Sequence, residues 1–301
     1  MWQKKGLVYE CDIFGTGYAQ VPFIDIIDKK TWRIYFSSRT ADVVSYPFYM
    51  DVEAGNPFNI LRVNKEPLFM PGYPGTFDDR GITMTSIVNM GSYKYLYYCG
   101  WNKGVTVPYS LSIGLAIGKD TFEKKFDGPI MCRSAYDPIC VSAPFVIKDE
   151  KVFRMWYISF TEWKEYNGRI EPTFIIKTAF SFDGIHWTPV NKPCFKQKYK
   201  GESFARPWVI KEKGIYKMWF SERGPEGYRG KDGQHYTLGY AESNNGENFK
   251  REPLDIATSD EGWDSEMIEY ASVIKWEGYY HMLYNGNQFG KTGFGYAIKK
   301  I

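Results

Sequence analysis

Short segments in which aromatic and aliphatic residues dominate recur along the chain at a steady interval. The intervals between the first residues of successive segments are 62, 59, 63 and 64 residues. A period of this length is typical of repeat architectures, in which each repeat is one supersecondary unit. The five segments are residues 33–38, 95–100, 154–159, 217–222 and 281–286.

Two further apolar stretches accompany each aromatic segment, one before it and one after it. They are rich in β-branched, aromatic and small residues and are separated by Gly, Asn and Asp, which predicts three to four antiparallel strands per repeat. The sequence therefore predicts an all-β fold, a five-bladed β-propeller. The preceding stretches are 19–26, 82–88, 141–147, 206–210 and 270–274, and the following ones are 47–52, 113–117, 176–180, 238–241 and 294–298.

The two ends of the chain are predicted to meet. The last repeat stops after its third strand, so we expect residues 6–10 to supply its outermost strand and to remove an exposed sheet edge. With 301 residues, 44% of them hydrophobic and 18% aromatic, the chain can bury one large core. Residues 1–301 are therefore predicted to be a single propeller domain.

Charge and cysteine usage exclude several classes of function. The net charge of +3 comes from 38 basic and 35 acidic residues spread along the chain, which argues against nucleic-acid binding. No apolar run is long enough for a membrane span or a signal peptide, so we expect a cytoplasmic protein without membrane insertion. Five cysteines without CxxC spacing and three histidines favour neither a disulfide framework nor a metal site.

One face of the predicted propeller collects the residues suited to a binding site. Starts of inner strands, ends of second strands and the long connections at 41–46, 102–110, 161–172 and 224–234 share this face. Carboxylates, arginines, amides and tryptophans converge there, which is the combination that a carbohydrate site needs. The predicted substrate-binding residues are Gln20, Arg39, Asp78, Arg80, Trp101, Asp137, Trp163, Arg206, Arg223 and Asn285.

A second repeated element is an S-x-D-G turn followed by an aromatic residue, at 181–187 and more weakly at 243–249. Asp or Asn with Gly predicts a tight turn between the third and fourth strands, with the aromatic ring packed beneath it. Together with the aromatic segments and the stretches 240–243 and 295–297, it resembles the five-bladed propeller glycosidases. These are the arabinanase, xylosidase and fructosidase superfamily and the related mannoside phosphorylases. Segments 262–270 and 282–287 also resemble superfamily members encoded in bacterial surface-polysaccharide regions.

The resemblance does not carry the catalytic residues with it. In the arabinanase-like enzymes an Asp stands directly before a Pro in the first inner strand, and a Glu stands two residues before the equivalent Pro in a later blade. The residues directly before the matching prolines here are Val21, Ala143 and Arg206. A glycosidase of this sequence therefore needs carboxylates from other positions.

Glycoside cleavage uses two carboxyl groups roughly 5 to 9.5 Å apart. We predict Glu202 as the proton donor, because its apolar strand entry would raise its pKa, and Asp79 as the base. A capping role for Asp78 and an ion pair of Arg80 are the alternatives in that segment. The predicted catalytic residues are Asp79, Glu202, Glu266 and Glu269.

Arg206 points to the chemistry of the substrate. A guanidinium inside an inner strand needs an anionic partner, which favours an anionic or phosphorylated carbohydrate. Two functions follow: a glycoside hydrolase or phosphorylase acting on a small or acidic sugar of surface-polysaccharide metabolism, or a non-hydrolytic propeller that binds a sugar or nucleotide sugar. No cofactor is predicted, although the resemblance allows a calcium ion at the axis.

Overall fold

The computed structural model describes residues 1–230 and 233–301, which form strands and, within these ranges, a single short helical turn. In chain order the elements are β1 (Gln3–Tyr9), β2 (Gln20–Ile26), β3 (Thr31–Arg39), β4 (Ser45–Glu53), β5 (Asn56–Val63), β6 (Gly81–Asn89), β7 (Lys94–Lys103), β8 (Tyr109–Gly118), β9 (Phe122–Lys124), β10 (Val141–Asp149), β11 (Val152–Tyr166), β12 (Arg169–Ser181), β13 (Thr188–Pro193), β14 (Ser203–Glu212), β15 (Ile215–Arg223), β16 (Thr237–Ser243), β17 (Lys250–Glu252), β18 (Glu269–Trp276), β19 (Tyr279–Asn285), α1 (Asn287–Gly290) and β20 (Phe294–Lys300). The predicted all-β class is confirmed.

The strands pair in sequence order into antiparallel sheets. Three sheets have four strands, in the orders β10-β11-β12-β13, β14-β15-β16-β17 and β1-β20-β19-β18. The fourth has eight strands, but its halves β2-β3-β4-β5 and β6-β7-β8-β9 are joined only by a parallel bridge between Ser45 and Gly81. The aromatic segments occupy β3, β7, β11, β15 and β19, the second strand of each group. The period of the sequence is therefore the period of the sheets.

The first strands of these groups contact one another in order around a centre. Strand β2 lies against β6, β6 against β10, β10 against β14, β14 against β18, and β18 again against β2. At the other edge of the last sheet, β1 pairs with β20, so the N-terminal strand takes the predicted outer position. The first and last sheets thus meet both at their inner strands and through the N-terminal segment.

Aromatic residues fill the space between neighbouring sheets. The rings of Phe145 and Trp208 lie 4.4 Å apart, and the Trp208 indole donates to the Val273 carbonyl of the next sheet. The two S-x-D-G-type turns also join sheets, because Tyr97 donates to the Gly184 carbonyl and Trp156 to that of Gly246. The prediction of a structural turn at 181–187 is confirmed, and the core runs between sheets rather than within one.

One predicted connection is instead ordered strand. The stretch 161–172, expected as a loop, continues β11 to Tyr166 and resumes β12 at Arg169. Asn167 and Gly168 alone make the turn, with φ of 48° and 75°. Asn-Gly favours this left-handed two-residue turn, so the hairpin extends well beyond the sheet and forms one wall of the site.

Candidate functional site

Every innermost strand is interrupted by a β-bulge at the same depth. The register shifts lie between Gln20 and Phe23, Met84 and Ser86, Ser142 and Phe145, Ala205 and Trp208, and Glu269 and Ser272. A bulge bends its strand and re-aims the extra side chain. The five bulge residues define what we call the cavity floor: Val21, Thr85, Ala143, Arg206 and Tyr270.

Four of the floor residues have an unusual backbone. Val21, Ala143, Arg206 and Tyr270 have φ between 48° and 56°, the left-handed region that costs an L-residue about 1–2 kcal/mol. Bonds between sheets hold these bulges in place. The Val21 amide donates to the Asn285 side chain at 2.8 Å, and the Tyr270 amide donates to the Ser221 hydroxyl at 2.8 Å. The scaffold therefore fixes which side chain reaches the centre.

Above the floor is a cavity of about 810 Å³. Its walls come from the connections after β7 and β15 and from the tip of the β11–β12 hairpin. The cavity brings together four of the predicted residues, Gln20, Arg39, Trp101 and Arg206. The lining residues that the sequence prediction missed include Tyr109, Arg169, Glu171, Tyr228, Arg229 and Tyr236.

Arg206 is the most unusual group of the floor. Its side chain is 1% exposed, and none of its three guanidinium nitrogens has a hydrogen-bond partner. The guanidinium carbon lies 5.0 Å from the Trp208 ring centre and 6.0 Å from that of Phe23. Burial lowers the pKa of Arg206 to about 9, so the group still carries its charge at neutral pH.

Glu269 is a second buried group without a partner. Its side chain is fully buried, and neither carboxyl oxygen accepts a hydrogen bond. Burial raises the pKa of Glu269 well above its usual range, against the opposing charges of Arg229, Arg39 and Arg223. The carboxyl therefore holds a proton at neutral pH, directly behind the lining residue Tyr270.

Glu171 is the carboxylate that lines the cavity wall. It accepts hydrogen bonds from the Tyr228 hydroxyl and from Arg229 Nε, the latter at 3.1 Å. Arg39 lies 4.0 Å above the Tyr18 ring, and its Nε is buried without a partner. Burial also raises the pKa of the lining tyrosines Tyr236 and Tyr270, which keeps their hydroxyls neutral. Cations outnumber anions along this lining.

Several predicted site residues lie away from the cavity, in a repeated arrangement that we call the Asp–Tyr–Lys clusters. Each joins a buried Asp before an inner strand to a Tyr 20 residues later on the second strand and to a Lys from a strand farther out. Their O–O and N–O distances are 2.7 to 3.2 Å. The clusters are Asp78–Tyr98–Lys124, Asp137–Tyr157–Lys177 and Asp264–Tyr284–Lys4.

Glu202, the predicted proton donor, occupies the matching place in the remaining sheet of this series. It pairs with Arg251 of β17 at 2.9 Å, and the Lys198 amide donates to it at 2.6 Å. Its side chain is 3% exposed and does not line the cavity. Glu202, Asp78 and Asp137 thus have internal partners, and their functional roles stay predictions.

The other predicted residues also have neighbours outside the lining. Asp79 accepts from the Gly75 amide at 2.9 Å, Arg80 donates to the Asp42 carbonyl at 2.9 Å, and Glu266 is exposed. Trp163 packs against Tyr109, with ring centres 5.0 Å apart. The remaining two have their polar atoms occupied: Arg223 by Tyr236, Gly224 and Pro172, and Asn285 by Val21, Ala19 and Gly293.

Neither a metal cluster nor a membrane helix is found in residues 1–230 and 233–301. No group of three or more His, Cys, Asp or Glu side chains is placed to hold a metal ion there. None of the helical residues in these ranges forms a helix of the length and apolarity that crossing a membrane requires. All five cysteines are free thiols.

Sequence comparison places the chain among bacterial relatives. It is 36% identical over 306 residues to the uncharacterized protein Rv1502 of Mycobacterium tuberculosis strain ATCC 25618/H37Rv, covering 99% of this chain and 98% of the relative. The chain belongs to the Rv1502 family. Protein MT1551 of strain CDC 1551/Oshkosh matches at the same identity and coverage. No protein-family model matches the chain.

Solved structures show which fold the Rv1502 family shares. A structure titled as a glycoside hydrolase has a TM-score of 0.78, and one titled as a complex of BT0996 with RGII has 0.77; each is 16% identical and covers 99% of this protein and 91% of the other. An exo-1,5-α-L-arabinanase from a bovine ruminal metagenomic library has a TM-score of 0.61 at 16% identity, covering 97% and 95%. The resemblance to propeller glycosidases is confirmed at the level of the fold.

Proposed function

We propose that this protein is a glycan-active enzyme, a glycoside hydrolase or phosphorylase, that acts on a small or acidic sugar in the central cavity. The observation that carries the proposal is the fully buried, unpartnered carboxyl of Glu269 beside the lining. A carboxyl that keeps its proton at neutral pH is suited to general acid catalysis.

A second carboxyl group is available in the same cavity. Glu171 accepts from Arg229 and Tyr228, a setting that favours the ionised form. Two carboxyl groups held in opposite protonation states are what glycoside cleavage requires. We assign the proton-donating role to Glu269 and the role of base or nucleophile to Glu171, and the neutral lining tyrosines supply hydroxyls for the sugar.

We further propose that the sheets form a closed propeller of five blades, with the sugar bound at its axis. The cyclic contacts of β2, β6, β10, β14 and β18 support this arrangement, as does the pairing of β1 with β20. The resemblance of segments 262–270 and 282–287 supports a role in surface-polysaccharide metabolism. The solved glycoside hydrolases and the arabinanase share the fold, which is consistent with a carbohydrate substrate.

The second candidate function is sugar binding without turnover. It is favoured by one observation: the floor holds Val21, Ala143 and Arg206 where the resembled enzymes carry carboxylates. Such a protein would keep the cavity and its tyrosines but would bind a sugar or nucleotide sugar unchanged.

Turnover measurements on aryl glycosides, with and without inorganic phosphate, test the proposal. Glu269→Gln and Glu171→Gln are each expected to lower kcat by a factor on the order of a hundred, the size of a general acid or base contribution. Glu162→Gln, which changes an exposed carboxylate on β11, is the matched control and should keep full activity. Sugar binding with no turnover by the unmodified protein would support the second candidate.

A further inference from the structure

The cavity floor contains a positive charge for which the described part of the protein provides no counter-charge. Arg206 is held there by its bulge, and its fork of nitrogens makes no hydrogen bond. A buried cation is normally paired, because leaving it unpaired costs several kcal/mol. A group of this kind in a cavity large enough for a sugar points to a ligand that supplies the missing acceptor.

The neighbouring floor residues cannot supply that acceptor. Val21 and Ala143 are apolar, and Thr85 and Tyr270 are neutral. Burial is the cause of the lowered pKa of Arg206, so no carboxylate offsets it. The contacts that remain are the faces of Trp208 and Phe23, which attract a cation weakly but accept no strong hydrogen bond.

The rest of the lining has the same sign. Arg39, Arg169 and Arg229 also line the cavity, and its one carboxylate within residues 1–230 and 233–301 is Glu171. That carboxylate is already occupied by Arg229 and Tyr228. An anion entering the cavity therefore meets an excess of positive charge and, at the floor, an unoccupied planar fork suited to two parallel hydrogen bonds.

We propose that Arg206 is the anion-binding residue of the cavity floor and that the sugar carries one carboxylate or phosphate group bound to it. The identity of the ligand as a sugar rests on the proposed function, whereas the anion site rests on Arg206 alone. The acidic group then fixes the orientation of the sugar. Its ring lies in the wider space above the floor, toward Trp101 and the lining tyrosines.

Binding measurements on the full-length protein at low ionic strength test this inference. The probes are glucuronate, glucose 1-phosphate and inorganic phosphate, with glucose as the neutral comparison, followed by titration calorimetry. We expect at least one anionic probe to bind about tenfold or more tightly than glucose, the size of a charge-assisted hydrogen bond. Preference for glucuronate assigns a sugar acid, preference for glucose 1-phosphate a sugar phosphate, and binding of phosphate alone a free phosphate.

Two variants at position 206 attribute the effect to the fork. Arg206→Met should abolish the preference for the anion, and Arg206→Lys should keep part of it, because lysine retains the charge but not the bidentate geometry. Arg33→Met removes another buried arginine, one that is paired with Asp51 outside the cavity, and should leave anion binding unchanged. Thermal unfolding of each variant shows that it is folded.

Two results would overturn the inference: none of the anions binds more tightly than glucose, or Arg206→Met and Arg206→Lys both bind the anions as the unmodified protein does. Neither depends on turnover. Anion binding without turnover would leave the inference standing and contradict the proposed enzyme. Turnover of neutral glycosides with no effect of Arg206 would do the reverse.

Discussion

The Asp–Tyr–Lys clusters and the cavity floor both bury charged groups, yet they treat them in opposite ways. Asp78, Asp137 and Asp264 are each bonded to a hydroxyl and an ammonium group. Arg206 and Glu269 are as deeply buried and have no hydrogen-bond partner. Satisfied burial is typical of structural contacts, and unsatisfied burial is typical of sites kept ready for a ligand or a proton. Burial alone does not distinguish the two.

The largest effect is expected where a cluster coincides with the junction of the first and last sheets. Deleting residues 1–10 removes β1 from β20 and takes Lys4 away from Asp264, so a sheet edge is exposed and a buried carboxylate loses its cation. We expect unfolding to begin at least 10 °C lower, roughly the effect of several kcal/mol in a protein of this size. Deleting the exposed Ile301 is the control. Equal melting of both truncations would contradict the assigned role of β1.

Breaking a cluster inside one sheet should have the next largest effect. Asp137→Asn leaves Lys177, 8% exposed at its side chain, without its counter-charge. The free energy of unfolding in urea should fall by about 3–5 kcal/mol. Asp120→Asn removes an exposed acid facing Arg33 and should change it by less than about 0.5 kcal/mol. If the two losses were similar, the clusters would contribute no more than a surface pair.

The cavity floor should respond with the opposite sign. Arg206→Met replaces an unpartnered buried cation by an apolar side chain of similar length, so the free energy of unfolding should rise by about 1–3 kcal/mol in the absence of ligand. Arg33→Met, which deprives Asp51 of its partner, should lower it. A loss of stability in Arg206→Met would mean that the guanidinium has a structural role, and the contrast between the two regions would fail.

The smallest effect is a pH dependence at Glu269. Because burial raises its pKa in the folded state, the folded form binds more protons than the unfolded form above the ordinary Glu pKa of about 4.3. This group therefore stabilises the fold at low pH and loses that contribution as the pH rises toward the raised value. Relative to the unmodified protein, Glu269→Gln should gain up to about 1.4 kcal/mol of unfolding free energy per pH unit above about pH 5. Urea titrations at several pH values measure it, and a constant difference would contradict the buried, protonated state.

The fold was largely predictable because its signal is local and repeated. Alternating apolar residues and Gly, Asn and Asp turns placed β6 at 82–88, and the structure has Gly81–Asn89. The hairpin tip at Asn167 was missed because charged residues along β11 were interpreted as a loop. Its Asn-Gly pair was the available signal.

The site was less predictable, because the partner of a buried charge lies far away in the chain. Lys124 reaches Asp78 across 46 residues, and Arg251 reaches Glu202 across 49. Nothing local to Glu202 indicates that pairing. The constant 20-residue interval between Asp and Tyr would have separated the structural acids from Glu269. Arg206 was predictable because its position inside an inner strand already implied a guanidinium near the axis.

The bulges of the inner strands separate the choice of chemistry from the choice of scaffold. Backbone amides beside these bulges are held by side chains of the neighbouring sheet, such as Asn285 and Ser221, and not by the floor side chains themselves. A mutation at Val21 or Ala143 can therefore introduce a new functional group at the centre while the surrounding strands stay in register. In an evolving lineage, the floor acts as a set of independently exchangeable positions, and an anion-binding protein and a carboxylate-based hydrolase can lie only a few substitutions apart.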